Sequence, residues 1–238
     1  SSFGNALWLI LNDLVLGVII GGFIAEHRAV LGSALGSVFL TIFVDFVRQV
    51  LFWLDSWPAG LKLNTELSHF LCKVLMTVTD LWADAVQTIA PHLPSLIQVV
   101  GFLAFGGLTL AIALSLDVLA LLTLPATLNY RMLISILKLQ FSALSSLWNL
   151  FQGKRYNMLH RHVDSFDYEL DQLLLGTLLF TLLTFTVPTF IAYALLFIFM
   201  RMLVVSATFA VRLLLQAMNG FPLFALLLRI KDPRRIPG

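Results

Sequence analysis

Apolar residues come in long runs along this chain, and the polar positions among them sort the runs into two kinds. Residues 3–25 are apolar nearly throughout, with only Asn5, Asn12 and Asp13 inside, and are long enough to span a bilayer. Residues 96–124 form the clearest span, with Asp117 inside and Pro125 closing it. Residues 173–200 form another, which Pro188 should kink. Residues 202–228, carrying Arg212 just beyond Arg201, offer one more crossing.

The second kind is amphipathic. Over 33–55, the residues Ser37, Thr41, Asp45, Arg48, Gln49 and Asp55 fall in one stripe at 100° per residue, and Asp45 and Arg48 are spaced to pair. Such a helix either lies in the interface or crosses with its stripe toward a partner, and the pattern leaves both open. Trp57-Pro58-Ala59-Gly60 breaks it, Asn64 supplies an N-cap, and a helix over 65–90 follows. Its apolar positions recur at i, i+3, i+4, i+7, while Glu66, Lys73, Asp80, Asp84 and Gln87 occupy the other face. Pro91 and Pro94 are expected to end it. Residues 131–151 are amphipathic again, with Arg131, Lys138 and Gln140. The prediction is an all-α, polytopic membrane helical bundle with amphipathic interfacial helices, one domain over 1–238.

Composition fits that class. Hydrophobic residues make up 59% and charged residues 12%, against about 25% charged in a soluble domain. A net charge of +2, without a basic run interleaved with aromatics, gives no sign of a nucleic-acid partner. Cys72 is the one cysteine, so neither an intrachain disulfide nor a cysteine zinc site is possible. The start at Ser1 points to the ordered core of a longer protein, and residues 1–25 lack the basic n-region of a signal peptide. Placing the stretch 125–172, with Arg131, Lys138, Lys154, Arg155 and Arg161, and the basic tail 229–235 both on the cytosolic side satisfies the positive-inside rule. It also requires one crossing between Arg201 and Leu228.

Chemistry is harder to find. Asp164, Asp167 and Asp171 would point within about 60° of one another on a helix, where three carboxylates can hold Mg²⁺ against a phosphate. The bland account is stronger, because acidic residues just before Leu173 complement a helix dipole. His160 and His162 flank Arg161 beside Lys154 and Arg155, a run that suits anionic lipid headgroups better than a metal. Gly17 and Gly21 make a small-xxx-small face for close helix packing, or only bend the helix. An ionised side chain inside a span costs about 2.5–3.5 kcal/mol or more unless paired, so Asp117 with Arg201 or Arg212 is a plausible pair. Snorkelling of the arginines is the alternative. No phosphate-binding loop, Gly-x-Ser-x-Gly or dinucleotide fingerprint occurs. The residues therefore nominate no catalytic, cofactor or metal site.

Three motifs in order carry a resemblance: Pro58-Ala59-Gly60-Leu61-Lys62-Leu63-Asn64, then Asp164-Ser165-Phe166-Asp167-Tyr168-Glu169-Leu170-Asp171-Gln172 with Leu173-Leu174-Leu175-Gly176-Thr177, then Phe221-Pro222-Leu223-Phe224-Ala225-Leu226 with Lys231-Asp232-Pro233. Together they resemble the subunit Q family of phosphatidylinositol N-acetylglucosaminyltransferase, over nearly the whole chain. A cysteine often follows the Asp-Ser pair in that family, where this chain has Phe166, which argues against a thiol role. The resemblance implies a multi-pass protein of the endoplasmic reticulum membrane. Its complex moves N-acetylglucosamine from UDP-N-acetylglucosamine to phosphatidylinositol, the first step of glycosylphosphatidylinositol-anchor synthesis. It also implies that another, catalytic component performs the transfer, and that subunit Q assembles the complex with the components called A (the catalytic one), C and H.

The reading that follows is a non-catalytic scaffold, with Pro58, Gly60, Lys62, Asn64, Lys154, Arg155, Arg161, Asp164, Asp167 and Asp171 as contacts to partners or lipid. Asp13, Gly17, Gly21, Asp117, Arg201 and Arg212 would serve helix packing or pairing. Two rivals stand beside it: a metal-dependent membrane transferase built on the three aspartates, and a phosphatidylinositol-binding module built on the basic residues.

Overall fold

The computed structural model describes residues 2–56, 63–157, 162–165 and 168–220. The chain is all-α apart from one short ribbon. Helix α1 covers Ser2–Glu26, and His27 separates it from α2, Arg28–Phe39. A π-helical stretch, Leu40–Asp45, leads into α3, Phe46–Asp55. Beyond lie α4 (Thr65–Ile89), a 3₁₀ turn (Ala90–His92), α5 (Leu93–Leu103) and a second 3₁₀ turn (Ala104–Gly106). Helices α6 (Leu108–Leu122) and α7 (Leu124–Phe151) come next, then strands β1 (Lys154–Asn157) and β2 (His162–Ser165), and finally α8 (Leu170–Gly220).

Four helical stretches are long and apolar enough to cross a membrane: 7–26, 28–55, 65–106 and 170–216. A fifth is counted if α6 and α7 together form one broken span. Several boundaries differ from the sequence expectation for physical reasons. The stretch 28–55 is one continuous run, so the amphipathic segment begins earlier than Ser33 and has the length of a span. Helix α4 ends at Ile89, as Pro91 and Pro94 lead one to expect, and the helical stretch resumes through both prolines. Each takes an opening position, of the 3₁₀ turn and of α5, where the missing N–H has no intrahelical partner to lose.

The stretch 96–124 is divided at Gly107, whose φ of +136° suits glycine alone. Helix α6, at 15 residues or about 22 Å, is too short to span by itself. The helix of 173–200 does not break at Arg201. With no Gly or Pro between Arg201 and Met218, α8 continues through Gly220, so residues 202–220 extend that helix instead of opening a separate span.

Two compact units emerge. One combines Ser1–Ile42, Ala83–Leu124 and the chain from Met202; the other combines Phe43–Trp82 and Pro125–Arg201. In the first, α1 and α2 lie along α5, and α6 folds back against α1. In the second, one apolar core gathers Val47 and Leu51 of α3, Leu71 and Leu75 of α4, Leu133 and Leu137 of α7, and Tyr193, Phe197 and Met200 of α8. Steps of three, four or seven along each helix put one face inward.

Candidate functional site

In the first unit the polar and small residues of α1 meet the broken helix α5–α6. A Cβ on Gly17 would collide with the carbonyl oxygen of Ala104, and one on Gly21 with that of Gly101. Gly101 returns the constraint, since its own Cβ would press on the Gly21 carbonyl and on Ala25. Backbone thus lies against backbone, the contact that small residues permit between helices in lipid.

One turn before Gly17, Asp13 caps the start of α6. Its Oδ1 accepts from the Thr109 backbone N–H at 3.0 Å and its Oδ2 from the Thr109 hydroxyl at 2.8 Å. A carboxylate there also meets the positive end of the helix dipole. A Cβ on Gly107 would meet Asp13 Oδ2, and the φ of +136° favours glycine there whatever the space. Sequence reading singled out Asp13 but missed Gly101 and Gly107. The Gly106-Gly107 pair inside an otherwise apolar run was the available signal.

In the second unit polar side chains join facing helices. The Arg48 guanidinium reaches Asp80 of α4, with Nη2 at 2.6 Å and Nε at 2.8 Å from Oδ1, while Asp45 stands 3.8 Å away. The sequence-adjacent partner is therefore the weaker one. At the end of α3, Asp55 Oδ2 accepts from His69 Nδ1 at 2.8 Å. The stripe of 33–55 is thus answered within the chain at Arg48 and Asp55. Asn64 caps α4: its side-chain oxygen accepts from the Leu67 N–H at 3.2 Å. Its own N–H donates to Thr189 Oγ1 at 3.0 Å, tying the start of α4 to α8 one residue past Pro188. Next to it the Ser68 and Tyr193 hydroxyls meet at 2.8 Å, both buried, and Tyr193 also donates to the Ser68 carbonyl at 3.1 Å. Neither His69 nor Tyr193 stood out in sequence, although a tyrosine inside a span needs a partner for its hydroxyl.

The other nominated residues are scattered. Asp164 lies on β2, opposite Arg155 of β1 in the antiparallel register, so the helical convergence expected for the three aspartates does not form. Two strands closing the ribbon there rule out a helix through Asp164. Asp171 sits in the first turn of α8, where its charge complements the dipole. Lys154 bonds Gln152 at 2.8 Å. Pro58, Gly60, Lys62, Arg161 and Asp167 lie outside the described residues.

Asp117 is exposed, and among the described residues neither it nor Arg212 is in an ion pair. Arg201 instead donates to Thr127 Oγ1 at 3.2 Å. Among the described residues no three His, Cys, Asp or Glu side chains come together as a metal-binding group.

These elements define a many-helix membrane protein whose polar side chains tie helix to helix. Its sequence matches, over residues 1–238, the family described as N-acetylglucosaminyl transferase component (Gpi1), and the chain belongs to that family. It is 38% identical over 99% of its length to the N-acetylglucosaminyl-phosphatidylinositol biosynthetic protein gpi1 of Schizosaccharomyces pombe, covering 36% of that protein. It is 37% identical over 98% of its length to the phosphatidylinositol N-acetylglucosaminyltransferase subunit GPI1 of Saccharomyces cerevisiae, covering 39% of it. Against subunit Q of the human transferase the identity is 36% over 98% of the chain, which covers 31% of that protein. The chain thus spans between about a third and two fifths of the length of these relatives. No solved structure matches it.

Proposed function

We propose that this chain is the membrane core of a non-catalytic scaffold subunit, within the complex that transfers N-acetylglucosamine from UDP-N-acetylglucosamine to phosphatidylinositol. The observation that carries the reading is where the polar side chains go: Asp13 caps α6, Arg48 holds Asp80, and Tyr193 holds Ser68. Each joins two helices, as a scaffold requires, and the relatives are named as components or subunits of that transferase. In this reading the protein sits in the endoplasmic reticulum membrane and brings the catalytic component, called A, together with components C and H, up to the lipid acceptor.

The test is purification of the complex in mild detergent from cells with and without the full-length protein. Loss of the protein should dissolve the assembly, whereas Asp171→Asn should leave both assembly and transfer intact. A fully assembled Asp171→Asn complex that turned over no substrate would sink the scaffold reading and favour chemistry on this chain.

A further inference from the structure

A cavity of about 400 Å³ opens beside the end of α3 and the first half of α4, lined by Phe52, Asp55, His69, Lys73, Met76 and Asp80 among others. Its groups are unequally satisfied. Asp80 is held by Arg48. Lys73 stands exposed with no ion-pair partner among the described residues. Asp55 keeps one buried carboxylate oxygen, Oδ1, that accepts no hydrogen bond.

His69 is fixed by its neighbour. A carboxylate only accepts, so the nitrogen facing Asp55 Oδ2 carries the proton and Nε2 remains for another molecule. The His69 side chain is 60% exposed, which leaves that nitrogen within reach. Phe52 and Met76 supply an apolar wall beside these groups.

A free cation, a free imidazole nitrogen and carboxylates with acceptor capacity left over call for a ligand that is anionic at one point and rich in hydroxyl donors at others. The level suits a lipid. The run 28–55 is 28 residues, about 42 Å against a hydrocarbon thickness of about 30 Å, so its Asp55 end reaches the headgroup layer.

Resting on the proposed membership of the transferase complex, we infer that this cleft binds the phosphorylated polyol headgroup of the acceptor lipid. Lys73 contacts the phosphate, His69 Nε2 and the Asp80 carboxylate accept from ring hydroxyls, and Phe52 and Met76 meet the apolar part next to the headgroup. Lys73 is the specificity-bearing charge, and Asp55 is a positioning residue that acts through His69.

The experiment uses the assembled complex containing the full-length protein, in phosphatidylcholine vesicles with varied phosphatidylinositol. Lys73→Met and His69→Gln should each raise the KM for phosphatidylinositol about fivefold or more, with kcat within about twofold and the subunits still co-purifying. An unchanged KM in an assembled complex overturns the cleft while leaving the scaffold reading in place. A complex that assembles and transfers without this protein removes the scaffold reading instead.

Should the variants fail to assemble, the unmodified complex is labelled with phosphatidylinositol carrying a photoreactive headgroup. Labelling within residues 65–80 that excess phosphatidylinositol suppresses and phosphatidylcholine does not supports the site. Labelling only elsewhere refutes it. Soluble inositol 1-phosphate, added to phosphatidylcholine vesicles, separates the sources: suppression by it as well assigns recognition to the headgroup alone, and suppression by the lipid only assigns it to headgroup and chain together.

Discussion

The two compact units are held by opposite means. In the unit of α1, α2, α5 and α6, helices meet where side chains are missing: Gly17 against the Ala104 carbonyl, and Gly21 and Gly101 against each other. In the unit of α3, α4, α7 and the first part of α8, they meet through large side chains, with Tyr193, Phe197, Leu51, Leu75, Leu133 and Met200 fully buried. Polar links (Arg48–Asp80, Ser68–Tyr193 and Asn64–Thr189) brace that core. Lipid tails are as apolar as leucine, so burying a leucine away from lipid gains little, and contact in hydrocarbon comes from close approach or from hydrogen bonds. One unit uses the first device throughout its α1–α5 contact, and the other adds the second to an apolar core.

The sharpest way to break this comparison is to fill the missing side chain. Gly17→Leu would set a branched side chain where even a Cβ collides with the Ala104 carbonyl. Backbone cannot rotate aside as a rotamer does, so the loss should reach about 3 kcal/mol or more, at the upper end for overpacking. The full-length protein in detergent should lose a large part of its thermal unfolding midpoint. An unchanged midpoint would mean that α1 does not lie against α5.

Next in size is Asp13→Ala. It removes two hydrogen bonds and the charge at the start of α6, together worth about 2 kcal/mol. The unfolding midpoint should fall, and Asp13→Asn should recover part of the loss because an amide oxygen can still cap. Equal losses in the two variants would assign the effect to charge alone. In the other unit Tyr193→Phe keeps the ring in the core and removes only the hydroxyl shared with Ser68. The expected cost is about 1 kcal/mol, the range measured for hydrogen bonds between membrane helices. A loss as large as that of Gly17→Leu would show that the second unit depends on its polar links more than on its apolar core.

Legibility in the sequence follows the same division. The class was readable because apolar runs of span length have one physical explanation, and the Asn64 cap because Asn before an amphipathic run is a local signal. What could not be read were partners across the chain. Arg48 has Asp45 three residues away and yet pairs more closely with Asp80, because the α3–α4 hairpin brings a second carboxylate to the guanidinium. Likewise the spacing of Asp164, Asp167 and Asp171 assumes a helix, and a two-stranded ribbon through Asp164 removes the assumption. Breaks are legible in part: α4 ends at Ile89 just before Pro91, whereas only the Gly106-Gly107 pair in an otherwise apolar run marks the break before α6.

The smallest effect tests whether position, and not glycine content, makes the α1–α5 joint. Gly22 adjoins Gly21 in sequence, but a Cβ built on it meets nothing within 4 Å, because one residue along a helix turns the side chain by about 100°. Gly22→Ala should therefore leave the protein unharmed or stabilise it by about 0.5–1 kcal/mol, the gain from restricting an unfolded glycine at a helical position. Gly21→Ala, one residue earlier, should instead destabilise it, since its Cβ falls on the Gly101 carbonyl and the Ala104 methyl. Opposite signs at neighbouring glycines are the signature of a joint that occupies one face of α1. If Gly22→Ala also destabilised the full-length protein, something would lie against the second face too. Comparing that loss in the isolated protein and in the assembled complex would then show whether the neighbour is this chain or another member of the complex.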